Sequence, residues 1–309
     1  MNFKILITGA SGSIGSELAR QIYASKPKQL IIIDQDETGI FNMSEDLPGT
    51  IGLVADVRNR ERIQEIFKKY KPDIVFHAAA YKHVPLMERQ IGEAVRNNIF
   101  GTLNVAESAV KNGAKKFVFV STDKAVNPTS VMGATKRIGE MICQNLNGKT
   151  KFMSVRFGNV FDSRGSVIPA FKKQIERGGP VIVTHPEMRR YFMSIKDAAE
   201  LVIQASKIGK GGEIFILDMG KQIKILDLAK QMILQSGKDI HIMISEPRPG
   251  EKLFEELLIG DESSTKHKNI FIVKPSQVDG EELDKSLIKL KEGGNVKKVF
   301  NKLIPTYEK

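Results

Sequence analysis

A short apolar run, Lys4–Thr8, passes directly into Gly9-Ala10-Ser11-Gly12-Ser13-Ile14-Gly15, and this junction constrains the fold more than any other part of the chain. Glycine is needed where a strand turns tightly into a helix, where backbone must approach a pyrophosphate, and where helix and strand pack without side chains between them. The helix beyond it directs the partial positive charge of its first turn over the glycines. Glycines alone would suit any tight turn, so the context matters. Further apolar runs at Leu30–Asp34, Ile51–Ala55, Ile74–Ala78, Lys116–Ser121 and Phe152–Phe157 alternate with helical spacing in Ser16–Ser25, Arg60–Tyr70, Ala94–Asn112 and Ala134–Leu146. That alternation implies parallel strands joined by crossover helices. The expected fold is α/β, a doubly wound parallel sheet of the Rossmann type, with ligands at the carboxyl ends of the strands.

Asp34 closes the second run at the distance where a carboxylate accepts hydrogen bonds from ribose hydroxyls and repels a 2′-phosphate, which points to NAD. Asp56 and Val57 after the third run, and Ala78, Ala79 and Ala80 after the fourth, stand where adenine and the flat nicotinamide-ribose path need an acceptor and small residues. After Gly158 the rhythm becomes irregular. Phe161–Pro186 is rich in Gly, Ser and Pro; Ile195–Lys207 reads as a helix, Glu213–Leu217 as a strand, and Ile225–Gly237 as a helix before the turn Pro247–Lys252. Residues 1–160 are therefore expected to form the cofactor domain, with the helix around 195–207 returning to it. Residues 161–309 should form mainly a smaller α/β substrate lobe and a polar tail, Asp261–Lys309, with a helical stretch at Glu281–Lys291 and no recognisable chemistry.

Composition excludes several classes. No run approaches the ~20 apolar residues that span a bilayer, and the first strand begins too early for a signal peptide, so a cytoplasmic protein, or the soluble catalytic part of a membrane-anchored one, is expected. The net charge of +11 comes from lysines spread over most helices, without an arginine-rich run or aromatic platform. It reads as solvated surface plus an anionic substrate, not as a nucleic-acid site. Cys143 lies among apolar neighbours and reads as a buried helix residue, and the five histidines show no metal-ligand spacing, so no metal is expected.

Four further segments carry a resemblance. Asn98-Ile99-Phe100-Gly101-Thr102 is similar to a helix segment of the extended short-chain dehydrogenase/reductase superfamily, and Ala79-Ala80-Tyr81-Lys82-His83-Val84-Pro85, Thr122-Asp123-Lys124-Ala125-Val126-Asn127-Pro128 and Arg248-Pro249-Gly250-Glu251-Lys252 resemble the CapD-like group of UDP-N-acetylglucosamine 4,6-dehydratases within it. The resemblance runs nearly the whole way to Glu256. It implies bound NAD, the substrate UDP-N-acetylglucosamine, and a homo-oligomer, dimeric or larger. It also implies roles: Thr122 contacts the 4-hydroxyl, Asp123 protonates the leaving 6-hydroxyl, Lys124 removes the proton on carbon 5, and Lys136 holds the nicotinamide ribose. Tyr81, Lys82 and Asn98 would line the sugar pocket; Asn159, Arg248 and Glu251 would meet the diphosphate and uridine ribose, with Arg189 and Arg190 as further candidates; Val167 would pack beside the uracil.

One position departs from the superfamily. Four residues before Lys136, where most members have tyrosine, stands Met132, whose thioether has no proton to exchange. An ordinary alcohol dehydrogenase or epimerase mechanism lacks its usual acid here. The departure resembles the configuration-retaining subset; an inverting dehydratase and a non-catalytic NAD-sensing regulator are the alternatives. For Lys124 to act as base it must be neutral, which requires burial or nearby positive charge, with Lys136 and the nicotinium ring as the expected sources.

Overall fold

The computed structural model describes residues 2–257, 262–273 and 278–307. Six parallel strands, β1 (Lys4–Thr8), β2 (Gln29–Asp34), β3 (Ile51–Val54), β4 (Ile74–His77), β5 (Lys116–Val120) and β6 (Lys151–Arg156), lie in the order 3-2-1-4-5-6. Strand order reverses between β1 and β4, whose pairing runs from Ile5 opposite Ile74 to Thr8 opposite His77. Helices α1 (Ser13–Ala24) and α2 (Glu37–Asp46) cover one face with the helix Ile195–Ile208; α3 (Arg60–Tyr70), Thr102–Lys111 and Val131–Asn145 cover the other. Burial on both faces explains why the central strands are near-continuous Ile, Val and Phe rather than alternating. This is the expected doubly wound α/β fold, and the Ile195–Ile208 helix does return to pack beside α1.

Beyond residue 160 the chain is shared between two bodies, which redraws the expected division. Ile214–Leu217 pairs parallel with β6, and Ile270–Val273 then Glu262–Ser264 extend the same sheet antiparallel. The tail helices Gly280–Lys291 and Val296–Leu303 put Leu283, Leu287, Leu290, Val299 and Phe300 into the core that contains Phe117, Ile138 and Ile142. The tail therefore belongs to the cofactor body, because its amphipathic faces complete that core. Its end residues, Asp261 and Lys309, lie outside the described residues. What remains is a small lobe with its own core of Ile168, Phe171, Val181, Val183, Met188, Phe192 and Ala229, built on helices Val167–Glu176 and Ile225–Ser236 and a parallel pair, Val181–Val183 with Ile242–Ile244.

One buried ion network fixes the end of β5. Glu140, fully buried in helix Val131–Asn145, accepts from Ser121 Oγ at 2.7 Å, Arg156 Nε at 2.7 Å and Nη2 at 2.6 Å, and Arg137 Nη1 at 2.9 Å. Burial alone would raise its pKa. The two guanidinium groups and the Ser121 hydroxyl overcome that and hold it down to about 2. Removing one partner of such a network leaves a buried charge uncompensated. Glu140→Ala should therefore lower unfolding stability by about 3–5 kcal/mol in urea titrations. The wild-type carboxylate's contribution should be complete above about pH 4.5 and vanish as the pH falls through about 2. A change within 0.5 kcal/mol, typical of a surface site, would refute this role.

Candidate active site

A crevice of about 1090 Å³ runs along the carboxyl ends of β1, β4, β5 and β6 and continues under the small lobe. At its floor the chain turns from β1 into α1. Gly9 has φ +69°, and a methyl group there would sit 2.6 Å from the Ala79 nitrogen; one at Gly15 would overlap the Gly9 carbonyl. Gly12 meets only the Gly9 carbonyl at 3.2 Å, and as N-cap it offers no side chain, so the first-turn N–H groups of α1 are left to a ligand. Asp34 stands at the far end of this groove, with Oδ2 accepting from Ser11 N at 3.0 Å and Oδ1 from Asp36 N at 3.1 Å. Ala78, Ala79, Ala80 and Val57 line the groove beside it. Helix terminus, glycine turn, carboxylate and small residues together fit a dinucleotide. Ser13 and Ile14 line the crevice, and Ser13 Oγ accepts from Arg164 N of the small lobe at 3.0 Å.

Several expected ligand contacts have other work. Asp56 is engaged by Arg58, whose backbone N lies 2.9 Å from Oδ1 and whose Nε lies 2.8 Å from Oδ2; Arg58 is anchored in turn on Glu93. Asp56 still lines the groove, so the ion pair holds its carboxylate at the groove wall. Asn98, expected in the sugar pocket, is buried: it accepts from Tyr81 N at 2.8 Å and donates to Tyr81 O at 2.9 Å and Thr135 Oγ1 at 3.0 Å. It clamps the loop that carries Tyr81 and Lys82. It does so from a π-helix, Val95–Gly101, where an uninterrupted α-helix is expected from the spacing. Arg190 is buried at the crevice wall and donates to the carbonyls of Arg189 (2.7 Å), Lys252 (2.7 Å) and Leu253 (3.1 Å), bracing the turn after Gly250. Arg189 is exposed.

The other expected residues are brought together at the crevice. Thr122, Lys124, Met132, Lys136, Tyr81, Lys82, Asn159, Val167, Arg248 and Glu251 all line the crevice. Arg248 and Glu251 pair with each other, Nε to Oε1 at 3.0 Å, at the mouth of the small lobe. Lys82 Nζ reaches Ser163 Oγ at 3.4 Å; burial and then the Lys124 charge lower its pKa. Thr122 Oγ1 donates to Asp123 Oδ1 at 2.9 Å, and Lys124 Nζ donates to the same oxygen at 3.0 Å and to Asn159 Oδ1 at 3.4 Å. Asp123 is buried, and a side chain at Gly158 would close on its Oδ2, 3.1 Å away.

The lysine charges come out differently from expectation. Burial acts to lower the pKa of Lys124, but the charges of Asp123 and Glu255 outweigh it and the pKa is raised. Lys124 is thus an ammonium in this arrangement. Lys136 is the depressed lysine: burial brings it down to about 7, and its nitrogen rests 3.8 Å from the centre of the Phe119 ring. Two participants escaped the sequence reading. Glu255 gave no signal beyond its place after the 248–252 turn. His77, read only as lacking metal spacing, is fully buried and bridges Thr8 Oγ1 (2.7 Å) and Thr102 Oγ1 (3.0 Å). Thr102 donates its own proton to Asn98 O at 2.7 Å, so His77 Nε2 is the donor and Nδ1 accepts from Thr8. Burial and then Lys136 depress its pKa to about 3, keeping it neutral. Among the described residues no group of three or more His, Cys, Asp or Glu is placed to hold a metal, and no helix is long and apolar enough to cross a membrane.

Comparison with known proteins bears on this crevice. A family model described as polysaccharide biosynthesis protein matches residues 5–275. The capsular polysaccharide biosynthesis protein CapD of Staphylococcus aureus is 57% identical over 270 residues, 83% of this chain but 45% of that protein, so the chain spans under half of that relative's length. A UDP-N-acetylglucosamine 4,6-dehydratase (inverting) of Campylobacter jejuni is 36% identical, covering 88% of this chain and 83% of the relative. Among solved structures, Pen from Bacillus thuringiensis superposes with a TM-score of 0.83 at 33% identity, covering 94% of this chain and 98% of that one.

Lys136 offers a direct test of the burial. Its folded pKa of about 7 lies below the ordinary 10.5, so the unfolded chain holds more protons between those values and wild-type stability should climb with pH across that window. Lys136→Met should accordingly stabilise the ligand-free protein most below pH 7, with an advantage that shrinks toward pH 10. A melting-temperature difference that does not change with pH would show that the ammonium is not desolvated.

Proposed function

The chain belongs to the polysaccharide biosynthesis protein family, and from that membership and the Thr122-Asp123-Lys124 crevice we propose that it is an NAD-dependent UDP-N-acetylglucosamine 4,6-dehydratase. The observation that supports the reading is the hydrogen-bonded triplet at the end of β5, whose Thr122 and Lys124 line the crevice while Asp123 is buried directly behind them. Elimination across carbons 5 and 6 of a hexose is hard because the carbon 5 proton is not acidic. A ketone at carbon 4 makes it so. The cofactor supplies that chemistry by storing the carbon 4 hydride and later giving it to carbon 6. The protein's share is proton handling and placement.

Thr122, hydrogen-bonded to Asp123, would pass the 4-hydroxyl proton to that carboxylate, which would then protonate the departing 6-hydroxyl. Lys124, an ammonium at rest, would first give up a proton and then, as the neutral amine, take the carbon 5 proton and return it. Met132 offers no proton, so the same lysine works from one face, which keeps the configuration at carbon 5; this supports a retaining enzyme. The inverting reaction is the second reading, favoured by the names of the C. jejuni relatives at 36% and 35% identity. Lys136 and the groove glycines would hold the cofactor, and Lys82, Tyr81 and Arg248 would meet the anionic nucleotide sugar.

Incubating the protein with UDP-N-acetylglucosamine and no added reductant should yield the dehydrated 4-keto product, and its carbon 5 configuration separates the two readings. Lys124→Ala should stop after carbon 4 oxidation: an absorbance band of reduced cofactor should appear without dehydrated product, and carbon 5 should not exchange with deuterium from solvent. Exchange at the wild-type rate in that variant would assign the base elsewhere.

A further inference from the structure

Lys124 faces a second carboxylate that the dehydration reading leaves idle. Glu255 is 4% exposed; its Oε1 lies 3.4 Å from Lys124 Nζ and 3.8 Å from Arg190 Nε. Its Oε2 has no hydrogen-bond partner among the described residues, and the same is true of Asp123 Oδ2 on the other side of the lysine. The Glu255 backbone is pinned by Gln222 Nε2 on its carbonyl at 2.8 Å. A buried carboxylate with an unpartnered oxygen is costly, and structure alone does not require one here. The charges facing this group are Lys124 and Arg190; Lys82, behind Lys124, works against a second ammonium.

Resting on the dehydration reading, we propose that Glu255 is a positioning residue acting through Lys124: it takes the ammonium proton across the ion pair, so that the lysine meets carbon 5 as a neutral amine, and returns it when turnover ends. The protons then balance. At the start Asp123 and Glu255 are carboxylates and Lys124 is an ammonium. As the 4-hydroxyl is oxidised its hydride goes to the bound dinucleotide and its proton passes through Thr122 to Asp123. Lys124 hands one proton to Glu255. The carbon 5 proton moves to Lys124, its electron pair becomes the carbon 5–carbon 6 double bond, the carbon 6–oxygen bond breaks, and the Asp123 proton leaves with the hydroxyl as water. When the hydride returns to carbon 6, Lys124 protonates carbon 5 and Glu255 restores the ammonium. No outside acid or base is consumed.

Glu255→Gln keeps the shape and can still accept a hydrogen bond from the lysine, but cannot take its proton under these conditions. The expected result is a KM for UDP-N-acetylglucosamine within about twofold of wild type, with kcat for dehydration and carbon 5 deuterium exchange both reduced by about tenfold or more at every pH from 6 to 9. Glu255→Asp, an acid with a shorter reach, should recover part of both rates. If Glu255 merely adds negative charge, Glu255→Gln relaxes the raised pKa of Lys124, and exchange near neutral pH should rise with its acid limb moved to lower pH; that outcome, or identical Gln and Asp variants, overturns the assignment. A wild-type protein that neither dehydrates the substrate nor exchanges carbon 5 overturns the dehydration reading and this assignment together, whereas wild-type exchange with an unimpaired Gln variant overturns only the role of Glu255.

Discussion

The site depends first on a carboxylate that never meets a ligand. Glu140 is out of water, and a lone charge at that depth would cost several kcal/mol. It is tolerated because Arg156 from the end of β6, Ser121 from the end of β5 and Arg137 from its own helix converge on it. Three elements are thereby held at one point, directly before the triplet Thr122-Asp123-Lys124. Loosening it would release the strand end that carries Thr122, Asp123 and Lys124. The sheet supplies the scaffold, but this network sets where β5 stops and the crevice begins.

Around that point the same residue type carries opposite charge states. Lys136 is buried against the Phe119 ring, and desolvation outweighs the nearby charge of Glu140, which is already neutralised by two guanidinium groups. Lys124 is nearly as buried, yet two carboxylates flank it and the balance reverses. Burial is common to both, so its sign on a lysine is fixed; the outcome depends on which groups were buried alongside. His77 completes the pattern as a neutral ring between two threonines, joining β1, β4 and the helix above them without adding charge to the crevice floor.

Local chemistry made the fold and much of the site legible in the sequence. Period and turn residues marked β1 to β6 to within a residue or two at each end, and the glycine turn, Asp34, Thr122 and Lys124 lie along the grooves at the strands' carboxyl ends. Most contacts that the sequence did not reveal involve a partner distant in the chain. Nothing near Asp56 other than Arg58 two residues later hinted at an ion pair continued to Glu93, and nothing near Arg190 named the carbonyls 62 and 63 residues away that it braces. Asn98 was assigned to ligand because a polar residue beside a pocket motif suggests exposure, whereas its side chain satisfies the backbone of Tyr81. The tail was set aside as polar because its apolar residues recur at helical spacing among many lysines, a face that has meaning only once a neighbouring core is known.

The wide turn at Val95–Gly101 also makes the crevice floor sensitive to chain length. A π-helix is an α-helix that has accommodated a surplus residue, so the rotational setting of the helix downstream of it depends on chain length as well as on side chains. Within this segment Asn98 faces Tyr81, Gly101 packs on Val57, and just beyond it Thr102 reaches His77. Loss of a single residue there would restore ordinary winding and rotate the downstream helix by about 100° relative to the loop, separating all three pairs at once. A change of length within these seven positions would therefore disturb the crevice floor in a way that a substitution on the helix's outer surface would not.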